Sequence, residues 1–185
     1  LYHSLVTSVK DAYGYSSSTA YDGLWNAPSV TTDLNGQKME YTYDALGRQQ
    51  TIRAPYEIES NQPFTIRFEY FPAERKAHTI HYSKDGNIDT YTFADSLMRA
   101  VQTKQTGVVW SGESNQKVSI VSGRAVIDAF GRNITAYYPM TESYGNIGTY
   151  NHATGDLQAK TEYDAHDRTT SVTLADGSVT RTAYS

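Results

Sequence analysis

YTYDALGRQQTIR, Tyr41 to Arg53, holds two short alternating runs on either side of Y-D-A-L-G-R. At Tyr43 to Arg48 the chain finishes one strand, reverses and begins the next, and each residue has a mechanical part in this. The Asp44 carboxylate can accept hydrogen bonds from backbone N–H groups two or three residues on, as in an Asx-turn, and Gly47 can take the positive φ that closes the loop. Arg48 opens the return strand, where its guanidinium can pair with Asp44 across the turn and stack on a Tyr face of the same or a neighbouring unit. The motif explains itself as a turn device and requires no substrate.

Outward from this stretch the motif recurs. IDAFGR (Ile127 to Arg132) and YDAHDR (Tyr163 to Arg168) repeat the Asp with an Arg four residues later, and ADSLMR (Ala94 to Arg99) keeps Asp95 and Arg99. YDGLWN keeps Tyr21 and Asp22 but has Asn26 in the Arg slot, and YFPAER keeps Tyr70 and Arg75 but has Phe71 in the Asp slot. The remaining motif positions are Asp128, Gly131, Arg132, Tyr163, Asp164 and Arg168. A fixed motif returning every few tens of residues is the signature of a repeat architecture. About six degenerate repeats fill residues 1–185, and Tyr184 falls in the Tyr slot of a seventh. The chain reads as an internal piece of ribbon, whose two ends are expected to fray or to pair edge to edge with another copy.

Asn35-Gly36, Asp85-Gly86 and Asp176-Gly177 lie between β-type runs and read as hairpin-turn dipeptides. Between turns the residues alternate: Ile66, Phe68 and Tyr70 oppose Arg67 and Glu69, while Met39, Tyr41 and Tyr43 oppose Glu40 and Thr42. That is the period of a half-buried strand. The sequence predicts an all-β fold of roughly fifteen strands, tandem hairpins in a curved, ribbon-like sheet, with no sizeable helix. Loops are expected at Pro55 to Pro63, Ser111 to Gln116 and Pro139 to Ile147.

Composition limits the function. Leu, Ile, Val and Phe make up only 33 of 185 residues, while 16 tyrosines supply large flat rings whose hydroxyls still reach a partner. The net charge of −4 is scattered, so the basic stripe of a nucleic-acid binder is missing. No apolar run reaches the length of a membrane span, and Leu1 opens no charged-then-apolar leader. Without Cys there is no disulfide or thiolate metal site. His78 and His81, three apart on a strand, face opposite sides and read as solvated strand residues. Glu57, Glu59, Glu69 and Glu74 show no spacing that singles out an acid/base couple, and no nucleophile elbow or phosphate loop is present. No catalytic residue, cofactor or metal is expected. Trp25, Trp110 and the tyrosines leave open a carbohydrate-binding or cell-surface adhesion module, against the plainer reading that the rings are mortar between strands.

The combination of the turn motif with an upstream Asn-Gly or Asp-Gly resembles the Rhs/YD-repeat family. The likeness is strongest at Tyr41 to Arg53, Tyr91 to Gln105, Ile127 to Pro139 and Tyr163 to Val179. PFTIRFEY (Pro63 to Tyr70) and YTFADSLMRAVQTK (Tyr91 to Lys104) resemble the subgroup related to the B components of bacterial toxin complexes. The resemblance implies a long β-ribbon spiralling into a shell around a toxic or variable C-terminal polypeptide, in a bacterial protein that is secreted or displayed at the cell surface. It implies as partners the neighbouring repeats, the enclosed toxin or effector and, on the adhesion reading, cell-surface glycans. No stretch matches the self-cleaving core of such shells, so no catalytic residue is carried over.

Overall fold

The computed structural model describes residues 5–152 and 157–185. Half of the chain is strand and 6% is helix, against about one-third helix in an ordinary globular domain, so the all-β expectation holds. Among the described residues, sixteen antiparallel strands form two open sheets, one of eleven strands and one of five. The strands are β1 (Ser8–Lys10), β2 (Ser16–Tyr21), β3 (Pro28–Thr32), β4 (Lys38–Tyr43), β5 (Gln49–Arg53), β6 (Ile66–Phe71), β7 (Lys76–His81) and β8 (Ile88–Ala94). They continue as β9 (Ala100–Trp110), β10 (Asn115–Ser122), β11 (Ala125–Ile127), β12 (Asn133–Tyr137), β13 (Met140–Ser143), β14 (Gln158–Tyr163), β15 (Thr169–Thr173) and β16 (Val179–Arg181). None of the described helices is long and apolar enough to cross a membrane.

Two compact units divide the chain: Leu1–Glu69 with Thr79–Ile88, and Tyr70–His78 with Asp89–Ser185. In the first, each strand from β1 to β5 pairs with the next, and β5 pairs with β6 through Thr51 and Ile52. The alternation in β4 is only partly realised: Met39, Tyr41 and Tyr43 are half-buried and Thr42 is exposed, but Glu40, held by Arg53, is half-buried too, and in β6 every residue from Ile66 to Phe71 is half-buried. Cross-strand pairs tie the wall together: Thr42 and Thr51 hydroxyls lie 2.7 Å apart, and Arg53 bonds Glu40 at 2.8 Å. Phe64 and Ile80 are this unit's buried apolar side chains. The predicted loop at Pro55 to Pro63 holds a single-turn helix, α1 (Pro55–Glu59), started by proline, whose missing N–H costs nothing at that position.

In the second unit β8, β9, β10 and β13 are successive neighbours, and the five-stranded sheet runs β11-β12-β14-β15-β16. Two expected loops are corrected. At Ser111 to Gln116, Asn115 and Gln116 belong to β10, and the reversal is a tight turn closed by Ser111 N–H donating to Ser114 at 3.0 Å. Pro139 to Ile147 contains β13, whose register with β10 (Val118 opposite Ser143, Val121 opposite Met140) adds an edge strand. Phe93, Val121 and Ile147 are the buried apolar residues here.

Candidate functional site

Four turns share one geometry. At Asp44, carboxylate oxygen Oδ1 accepts the N–H groups of Leu46 (2.9 Å) and Arg48 (3.0 Å), while Oδ2 accepts Arg48 Nε at 2.7 Å. The Asp44 N–H donates to the Arg48 carbonyl and the Gly47 N–H to the Asp44 carbonyl. Asp95 with Leu97 and Arg99, Asp128 with Phe130 and Arg132, and Asp164 with His166 and Arg168 repeat the carboxylate bonds within 0.1 Å and the backbone bonds within 0.2 Å. Partial burial pushes the Asp44 and Asp128 carboxyls up, but their Arg and backbone N–H bonds outweigh it and hold both below the usual range. Arg99 does the same for Asp95. At Asp164 the Arg168 N–H leads, and the carboxyl falls to about 2.

The position three residues past the Asp needs positive φ. Gly47 and Gly131 supply it, whereas Met98 and Asp167 adopt it as non-glycine residues, both at φ 62°. The turn at Asp22 is one residue longer: Asn26, at φ 52°, takes the left-handed place, the N–H groups of Leu24 and Trp25 reach the carboxylate, and Ala27 opens the return strand. Asn26 therefore does not stand in the Arg slot. Around Tyr70 to Arg75 no such clamp forms; Phe71 ends β6, Pro72–Glu74 is a 3-10 turn, and Arg75 itself is left-handed at φ 49°.

The hairpins at the other end of the strands are the same loop without the Arg, which corrects their reading as two-residue turns. Asp33 accepts the N–H groups of Asn35 (2.9 Å) and Gln37 (2.8 Å), with Gly36 at φ 80°. Asp11 does so with Tyr13 and Tyr15, a turn sequence reading missed although Asp11, Asp22, Asp33 and Asp44 stand eleven residues apart. Ser83 and Leu174 take the Asp place before Gly86 and Gly177.

The two ends differ in register. At all five turns of the YD type, those at Asp22, Asp44, Asp95, Asp128 and Asp164, the pairing shifts by one residue immediately before the Asp. The hairpins at Asp11, Asp33 and Leu174 pair without a shift. Bulges bend the strand and increase local twist, and among the described pairings they lie at the turns of the YD type. That end is also stitched turn to turn. The hydroxyls of Tyr21, Tyr43 and Tyr184 each donate to the carbonyl fifteen residues earlier, of Val6, Pro28 and Thr169, and Tyr163 donates to Asn133. Arg168 stacks on the Tyr184 ring at 4.3 Å and Arg132 on Tyr163 at 5.1 Å, each on the tyrosine of the following repeat. Trp25 packs on Gly47, where a Cβ would lie 2.7 Å from its ring.

The second unit also buries a polar cluster under the segment 140–152. Gln102 and Lys104 of β9 are both 1% exposed. Lys104 Nζ donates to the Glu142 carboxylate and to the Asn146 carbonyl (2.9 Å); Asn151 Nδ2 donates to Glu142 at 2.7 Å, and Gln102 exchanges two bonds with the Asn151 backbone. His78 is buried, not solvated as expected: its Nε2 lies 3.0 Å from Asp89 and its ring stacks on Tyr91 at 3.9 Å. Tyr144 donates to the other Asp89 oxygen at 2.5 Å. Burial raises the Asp89 pKa, but Tyr144, His78 and Lys117 together bring it below its ordinary value. His81 is exposed. Among the expected surface carboxylates, Glu57 accepts from Thr65, Glu69 pairs with Arg67 and Glu74 with Lys76. Among the described residues no three metal-ligating side chains converge.

Solved structures match this arrangement over 97% of the chain. TcdB2-TccC3 superposes with a TM-score of 0.76 at 20% identity, the same pair without its hypervariable C-terminal region with 0.75 at 17%, and the Photorhabdus luminescens Tc holotoxin pore with 0.74 at 18%. The fold is that of the Rhs/YD-repeat proteins. The chain covers only 11, 14 and 13% of those three chains. No family model and no curated protein matches it. Nothing in these likenesses concerns a glycan.

Proposed function

We propose that the chain is a structural, non-catalytic stretch of the wall of a larger exported YD-repeat protein, part of a β-shell that encloses or presents a toxin or effector polypeptide. The observation that carries this is the one-sided bulge. Each of the five turns carries a bulge just before its Asp; a bulge bends and twists its strand, and a bend repeated at the same place in each repeat is what a curved wall requires. A further support is that the likeness to TcdB2-TccC3 persists in the structure lacking the hypervariable C-terminal region. On this reading the clamped residues from Tyr21 and Asp22 to Asp164 and Arg168 hold the wall's curvature, and the immediate partners are neighbouring repeats. The test is limited proteolysis of the full-length protein that contains this chain. A polypeptide C-terminal to the repeats should resist protease until the repeats unfold. Cleavage of that polypeptide in the intact protein, at the rate seen for it alone, overturns the enclosure.

A further inference from the structure

Of the eight asparagines, only Asn35 is followed by glycine; the other seven precede Ala, Gln, Ile or His. Asn35 and Gly36 stand exposed at the tip of the β3–β4 hairpin, and among the described residues the Asn35 side-chain amide has no hydrogen-bond partner. An asparagine amide is an electrophile within reach of the next residue's backbone nitrogen. A side chain on that next residue obstructs the attack, and glycine has none. The closed turn opposes the same reaction. The Gly36 N–H donates to the Asp33 carbonyl at 3.0 Å, so the nitrogen that must attack has its proton tied up. The Asp33 carboxylate accepts the N–H groups of Asn35 at 2.9 Å and of Gln37 at 2.8 Å, which fixes the backbone on both sides of the pair. Ring closure needs that backbone to rotate.

We propose that Asn35 is a site of spontaneous covalent modification gated by the fold, protected while the β3–β4 hairpin is closed and converted when its turn opens. In the open turn the Gly36 nitrogen bonds to Asn35 Cγ and gives up its proton, the Cγ–Nδ2 bond breaks, and ammonia leaves as a cyclic imide forms. Water then adds to one of the two imide carbonyls. One opening gives aspartate; the other gives isoaspartate, in which the main chain runs through Cβ and Cγ. The sum is water in and ammonia out, with no oxidant, metal or enzyme. Asp85-Gly86 and Asp176-Gly177 offer the same glycine but a carboxylate in place of the amide, a far poorer electrophile. Either product at Asn35 adds a negative charge two residues from Asp33, and isoaspartate also lengthens the loop by one backbone atom. The length of that loop sets the register of Thr32 with Lys38, Thr31 with Met39 and Val30 with Glu40. A turn converted to isoaspartate cannot reclose on the same bonds, so a chain that has once unzipped here carries a lasting mark.

The test incubates the whole chain in mildly alkaline buffer, with and without guanidinium chloride, and follows each asparagine by peptide mass mapping and an isoaspartate-specific methylation assay. Asn35 is expected to convert ahead of every other asparagine in denaturant. In native buffer it should convert at least about tenfold more slowly, because only the fraction of turns open at any moment reacts. Asp33→Ala removes the carboxylate that fixes the turn, and should speed conversion in native buffer without changing the rate in denaturant. Asp33→Asn keeps an acceptor oxygen and should restore most of the protection, with circular dichroism showing the sheet intact in both variants. Converted chains should refold less completely than Asn35→Asp, which carries the charge without the extra backbone atom. Equal rates with and without denaturant, another asparagine converting first in denaturant, or an Asp33→Ala rate no faster than the parent's in native buffer each overturn the proposal.

Discussion

Lys104→Ala is expected to be the most damaging single substitution in the second unit. The lysine is 1% exposed, and its ammonium is matched by Glu142, whose side chain is 15% exposed, and by the Asn146 carbonyl. Removing it leaves a largely buried carboxylate bonded to the Asn151 amide and empties the space of three methylenes and the ammonium. Breaking a buried pair from one side costs about 3–5 kcal/mol. At about 2–4 °C per kcal/mol for a chain of this size, Tm should fall by roughly 6–20 °C. Lys104→Met with Glu142→Leu removes both charges and keeps the volume, so the double variant should recover most of the loss. Thermal unfolding of both singles and the double gives the cycle, and hydrogen exchange across 140–152 locates the damage. A Lys104→Ala loss below about 1 kcal/mol would refute the reasoning, because it would mean that water reaches the pair and that the cluster does not hold the segment down.

Other outcomes follow from the turns. Gly47→Ala meets both the positive φ and the Trp25 ring, and is expected to cost more than about 1 kcal/mol with a shift in tryptophan fluorescence. Met98→Gly relieves a left-handed, exposed methionine and should raise stability by about 1 kcal/mol, or some 2–4 °C in Tm; Asp167→Gly should gain less, since it gives up the Arg132 bond. Because the Asp164 pKa is depressed to about 2, its contribution is present above the unfolded value near 3.8 and lost as pH falls through about 2. Asp44, Asp95 and Asp128 shift the same way, so urea midpoints should drop between pH 4 and pH 2, less so in Asp164→Asn. A flat profile would show that the clamps do not matter to stability.

The clamped turn was legible because its chemistry is local: a carboxylate, a left-handed residue and an arginine within five positions. The turns at the other strand ends were half-read. Attention to Asn35-Gly36 found the positive φ but not the capping carboxylate of Asp33, although the eleven-residue spacing from Asp11 to Asp44 carried that signal. Asn26 misled because a turn longer by one residue puts its left-handed position where the motif puts Arg. β13 was hidden in a stretch rich in Ser, Gly and Pro, since its strand conformation is imposed by β10, some twenty residues away. Nor could the alternation through Gln102 and Lys104 distinguish a buried polar face from a solvated one, because only the segment folded over it decides.

The eleven-residue spacing of turns has a kinetic consequence. Each strand from β1 to β5 finds its partner across five or so residues of loop, so every closure is a local search completed in microseconds. Such low contact order means that a hairpin needs no later sequence in order to form. A ribbon of this kind can zip up behind its own advancing end, from whichever terminus first leaves a ribosome or a narrow channel, and each new strand covers the open edge left by the last.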